Sequence, residues 1–147
     1  MDPESVDISS FAFWSVSSNR GGYPLSNMRD SDPDTYWQSQ GETPHFITAE
    51  FLNPVKISEI SIHIDYEKDD SFTPEKFVIL SGNNLTNLQR LMEVSLDKPS
   101  GIILIKIEAQ NNPYLEASII QIFIVANCSG GNDSRIRNIS IHGPPIE

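Results

Sequence analysis

The stretch Ser58-Glu59-Ile60-Ser61-Ile62-His63-Ile64-Asp65-Tyr66 decides the fold class. Side chains on an extended strand point alternately to opposite faces, so Ile60, Ile62, Ile64 and Tyr66 share one face while Ser61, His63 and Asp65 share the other. One apolar and one polar face is the pattern of a half-buried antiparallel strand. His45 to Leu52 repeats it with Ile47, Ala49 and Phe51, and Arg137 to His142 repeats it with Ile139 and Ile141.

Ile102 to Ile107 and Ile119 to Val125 are apolar on nearly both faces, and Lys76 to Leu80 is a shorter case. That pattern predicts central strands covered on each side. Between the runs lie turn clusters: Asn53-Pro54, Ser81-Gly82-Asn83-Asn84, Lys98-Pro99-Ser100-Gly101, Asn111-Asn112-Pro113 and Ser129-Gly130-Gly131-Asn132. Short strands between such turns give an all-β antiparallel sandwich or jelly roll. Helix is expected only in small pieces, around Leu25 to Arg29 and Leu85 to Leu88. With 147 residues the chain fits one domain. The expected boundaries are a flexible segment over 1–10, a sandwich over 11–143 and an end piece over 144–147.

The net charge of −10 argues against a nucleic-acid partner, because phosphate binding draws on clustered lysine and arginine. No apolar run approaches a membrane span, and Met1-Asp2-Pro3-Glu4 is acidic where a signal peptide is basic. Cys128 is the only cysteine, which excludes an internal disulfide and a thiolate cluster. The expected location is therefore the nucleus and cytoplasm. The glycosylation patterns at Asn84, Asn127, Asn132 and Asn138 are read only in secreted chains.

Catalytic patterns are lacking. There is no G-x-S-x-G elbow, and His45, His63 and His142 have no second ligand at zinc spacing. The simple readings are a hydrogen-bonded strand-end histidine for His45 and an outward polar position for His63. Asp30, Asp32 and Asp34 begin like a calcium loop, but Thr35 and Gly41 stand where Gly and a bidentate Glu are needed, so a solvated turn with backbone caps is expected. The acidic run Asp65, Glu67, Asp69 and Asp70 reads as a charged hairpin loop, with a rim for basic peptides as the lesser reading. The stretch Ala126 to Arg137 reads equally as a self-satisfied turn or a binding loop, with Asp133 and Arg135 either bridging each other or facing a ligand.

Four segments carry a family resemblance over roughly residues 12–143. They are Tyr36-Trp37-Gln38-Ser39 with Pro44-His45; Asp65-Tyr66 with Asp69, Ser71 and Thr73-Pro74-Glu75-Lys76; Gly82-Asn83-Asn84 with Asn87-Leu88-Gln89; and Ile120-Gln121-Ile122 with Ala126-Asn127 and Asp133. Together they resemble the DOC-domain subunits of the anaphase-promoting complex, within the galactose-binding-like superfamily. The resemblance implies a non-catalytic jelly roll needing no cofactor or metal. Its implied partners are scaffold and cullin subunits, a propeller co-activator, and substrate peptides carrying a destruction-box degron.

The implied degron-facing residues are Ser71, Phe72 and Thr73 on one loop and Asn127, Gly130, Asn132, Asp133, Arg135 and Arg137 on another. Gly130 departs from the family, which usually carries Asn there, and Arg135 stands where His is common. The family's Ile-Arg tail is not matched by Pro144-Pro145-Ile146-Glu147; either the sequence is cut short of it or attachment runs through the sandwich alone, and no docking by a tail is predicted. Trp37 matches the family and reads as core support. The competing reading is a carbohydrate-binding module with Phe72 and Tyr114 as its aromatic platform. A glycosidase using Asp65 and Asp133 rests on two carboxylates alone.

Overall fold

The computed structural model describes residues 5–107 and 112–146. In chain order the strands are β1 (Val6–Asp7), β2 (Ala12–Val16), β3 (Trp37–Gln38), β4 (His45–Ile57), β5 (Glu59–Asp65), β6 (Pro74–Gly82), β7 (Gln89–Ser95), β8 (Ser100–Lys106), β9 (Leu115–Asn127), β10 (Arg135–Ile136) and β11 (Asn138–Gly143). Among the described residues one α-helical turn occurs, α1 (Tyr66–Asp69). Two antiparallel sheets form the layers: β1-β11-β5-β8, and β2-β4-β9-β6-β7. A two-stranded ribbon joins β10 to β3.

The isoleucine alternation builds the core between the layers. Ile60, Ile62 and Ile64 are fully buried, and the register sets Ile60 and Ile62 beside Ile141 and Ile139 on one side and Ile105 and Ile103 on the other. From the opposite layer Ile47, Ala49 and Phe51 of β4, Ile120, Ile122 and Ile124 of β9, and Phe77 and Ile79 of β6 join the same cluster. Each such side chain contributes about 1.5–3 kcal/mol over leaving it in water. Trp37 is also fully buried, with its Nε1–H donated to the Ser18 carbonyl at 3.0 Å, so it supports the core as expected.

Several expectations are corrected. β8 is an edge strand, and Ile102 and Leu104 on its outer face are exposed. Residues 85–88 form a turn, because Asn84 Oδ1 accepts from the Thr86 N–H and competes with helix. Asn53-Pro54 falls inside β4, at a register shift between Glu50 and Val55 that tolerates a proline. β7 was not anticipated. The segment before residue 11 belongs to the fold from Val6 onward, with β1 paired to β11 and Ile8 fully buried. The acidic run is helical: Asp65 caps α1 through the Glu67 N–H at 3.1 Å, and a 3-10 turn follows over Asp70–Phe72.

The direction of the strands assigns the described loops to two poles. β4 and β5 meet at the pole that also holds the turn after β6 and the end of β11. The turns entering β3 and β4, α1 with its 3-10 turn, and the β9–β10 loop gather at the other pole. This second pole is called the loop end below.

Candidate peptide-binding loop end

The loop end is built around a buried carboxylate. Asp69, at the end of α1, has a side chain only 1% exposed. Its Oδ2 accepts from Arg137 Nε at 3.0 Å and its Oδ1 from Arg137 Nη2 at 2.8 Å. Two parallel bonds from a planar guanidinium to one carboxylate fix orientation as well as charge. Arg137 Nη1 donates to the Pro33 carbonyl at 2.8 Å, so one side chain ties together three separate loops. The Asp69 hydrogen bond raises the Arg137 pKa further above its already high ordinary value.

Arg135 lies beside this pair. Its Nε donates to Gln38 Oε1 at 2.9 Å, its Nη1 is 3.5 Å from Asp69 Oδ1, and its guanidinium carbon lies 3.9 Å from the Phe72 ring centroid and 4.6 Å from that of Tyr36. A cation held between ring faces gains from both quadrupoles. Tyr36 stacks on Tyr23 with centroids 5.1 Å apart, and burial raises its phenol pKa.

A second group of bonds holds the β9–β10 loop. Asn127 Nδ2 donates to the Asp133 carbonyl and Asn127 Oδ1 accepts from Ser134 Oγ, both at 2.8 Å. Asp133 Oδ1 accepts from the Gly41 N–H at 2.7 Å, and the Asn132 carbonyl bonds His45 Nε2 at 2.6 Å. His45 is thus a hydrogen-bonded strand-end histidine. Asp133 and Arg135 do not bridge each other: Asp133 holds the 40–45 segment, and Arg135 faces Gln38, Phe72 and Asp69.

The two tips meet. The Thr73 carbonyl accepts from the Cys128 N–H at 2.8 Å. A Cβ placed on Gly131 would lie 1.8 Å from the Ser71 carbonyl oxygen, so the backbones touch where only glycine fits. Of the expected site residues, Gly130 and Asn132 are exposed, and Ser71, Phe72, Asp133 and Arg135 are half-buried. Thr73, Asn127 and Arg137 are buried; Asn127 and Arg137 act as struts between loops. Asp69, Tyr36, Tyr23 and Pro33 belong to the site and were not among the implied degron-facing residues. Tyr36 and Asp69 stand within the matched family segments, and Asp69 also in the acidic run; Tyr23 and Pro33 carry no such signal.

The other constellations resolve locally. Asp30 Oδ1 accepts from the Asp32 N–H and Asp32 Oδ1 from the Asp34 N–H, both at 2.9 Å, giving the capped turn expected. No cluster of three or more potential metal ligands occurs among the described residues. Asp65 and Asp133 both accept from backbone amides. Phe72 is faced by Arg135, while Tyr114 precedes β9 at the far pole, so the two rings form no common platform.

The class is an antiparallel β-sandwich jelly roll closed at one end by interlocked loops. The family 32 carbohydrate-binding module of C. perfringens NanJ, solved with galactose, superposes with a TM-score of 0.79 at 17% identity, covering 95% of this chain and 99% of that one. At that identity the likeness shows the fold alone. The family described as "Anaphase-promoting complex, subunit 10 (APC10)" matches residues 3–147. Anaphase-promoting complex subunit 10 of Dictyostelium discoideum is 41% identical over 96% of this chain and 74% of its own length. The human subunit 10 is 36% identical over 96% and 76%. The chain belongs to the anaphase-promoting complex subunit 10 family.

Proposed function

We propose that the loop end is a co-receptor for destruction-box degrons, working beside a propeller co-activator in the nucleus and cytoplasm. The observation that carries this reading is the backbone contact of Gly131 with Ser71, which joins two polar tips into one surface around the half-buried Arg135. The surface suits an extended peptide: exposed Asn132, and half-buried Ser71 and Phe72 beside a guanidinium held in a fixed place. No covalent step is involved. This domain touches one end of the degron while the co-activator holds the other, and two weak contacts combine through effective concentration. The gain appears as slower dissociation, which allows more ubiquitin transfers per encounter.

The test replaces Ser71, Asn132 and Arg135 together with Ala in the reconstituted ligase. Faster substrate dissociation and shorter ubiquitin chains per encounter are expected. Unchanged dissociation and processivity would remove the loop end from substrate binding.

A further inference from the structure

The far pole carries a second surface. Phe11, Phe13 and Leu52 stand at 60%, 69% and 94% of full exposure. Phe13 lies opposite Glu50 on β4, and Glu50 lies opposite Ile119 on β9. By strand alternation Phe13, Glu50 and Leu52 point outward from the five-stranded sheet, while Trp14, Ala49 and Phe51 point into the core. Phe11 and Leu52 also line a cleft of about 600 Å³ walled by Pro54, Pro144 and Pro145. β2 is an edge of its sheet, and no strand pairs with its far side among the described residues.

A single apolar side chain in water needs no explanation, but a contiguous set beside an open sheet edge and a cleft marks an interaction surface. Its charge narrows the occupant. Glu50 is half-buried between Phe13 and Ile119, and its carboxylate makes no hydrogen bond or ion pair among the described residues. Covering that carboxylate with an apolar surface alone would cost its hydration, so a fitting partner brings a cation to it. Membership of a subunit family supplies the source of such a partner.

We propose that this corner seats the chain on another protein subunit of the anaphase-promoting complex, through an apolar segment carrying one arginine or lysine that pairs with Glu50. The seat lies at the opposite pole from the loop end, so it stands without the degron reading.

The test adds full-length variants to purified complex lacking this subunit and measures incorporation by co-elution. Phe13→Ser with Leu52→Ser, and separately Glu50→Lys, are expected to lower incorporation at least tenfold, while Ser71→Ala with Asn132→Ala incorporates normally. Thermal unfolding checks the fold. Should the double variant fail to fold, Glu50→Lys decides alone. Normal incorporation of the folded corner variants would overturn the proposal, as would a dimer of the free chain that the corner variants dissolve while incorporation stays intact.

Discussion

Asp69 and Arg137, 68 residues apart, form a two-pronged ion pair with side chains 1% and 7% exposed. Removing one partner leaves the other charge buried and uncompensated, which costs about 3–5 kcal/mol. Asp69→Ala is therefore expected to lower the urea unfolding free energy by that order. Combining it with Arg137→Met should recover part of the loss, since the stranded cation is then gone.

Gly131 and Gly130 are glycine for different reasons. Gly131 has φ −65°, open to any residue, but lacks space against the Ser71 carbonyl. Gly130 has φ +70° with open space around it. Gly130→Ala should cost about 1–2 kcal/mol of backbone strain and leave the tips joined. Gly131→Ala should push the tips apart and weaken degron binding more than Gly130→Ala does, as surface plasmon resonance on the assembled ligase would show.

Phe72→Ala frees one face of the Arg135 guanidinium, which Tyr36, Gln38 and Asp69 still hold. A stability loss of about 0.5–2 kcal/mol is expected. Degron release should speed up more than that loss explains, and stopped-flow dissociation measures it.

The Thr35 hydroxyl bond, followed by the Asp32 backbone amide, holds the Asp30 carboxyl below its ordinary 3.8. A depressed acid contributes stability above its unfolded pKa and loses it as pH falls through the folded value. Thr35→Val should return the Asp30 pKa toward 3.8, with the turn loosening at correspondingly higher pH. An NMR titration of the Asp30 carboxyl tests this.

Burial, with the charge of Glu75 second, raises the Cys128 thiol above its ordinary 9.0. Little thiolate then exists at neutral pH. Cys128 should react with a disulfide reagent far more slowly than a free thiol in the native chain, and at a normal rate in denaturant.

The layers were legible because Ile60, Ile62 and Ile64 record their burial in their spacing. The same logic misplaced β8: apolar residues at Ile102 and Leu104 describe side chains, whereas edge or centre depends on which strands lie alongside. The turn Tyr66–Asp69 was missed because four residues are too few to show helical period. For the site, the tips were readable from matched segments, but the Asp69–Arg137 pair was not. Local sequence shows an acidic run and two arginines, and only the fold, which brings the end of α1 beside the link between β10 and β11, sets one against the other.

The antiparallel ladder between β4 and β9 has a mechanical consequence. Both strands are 13 residues long and run from pole to pole. A tug on the loop end along the strand axis loads their hydrogen bonds in shear, where many yield together, instead of peeling them one by one. Such a ladder resists tension along its strands.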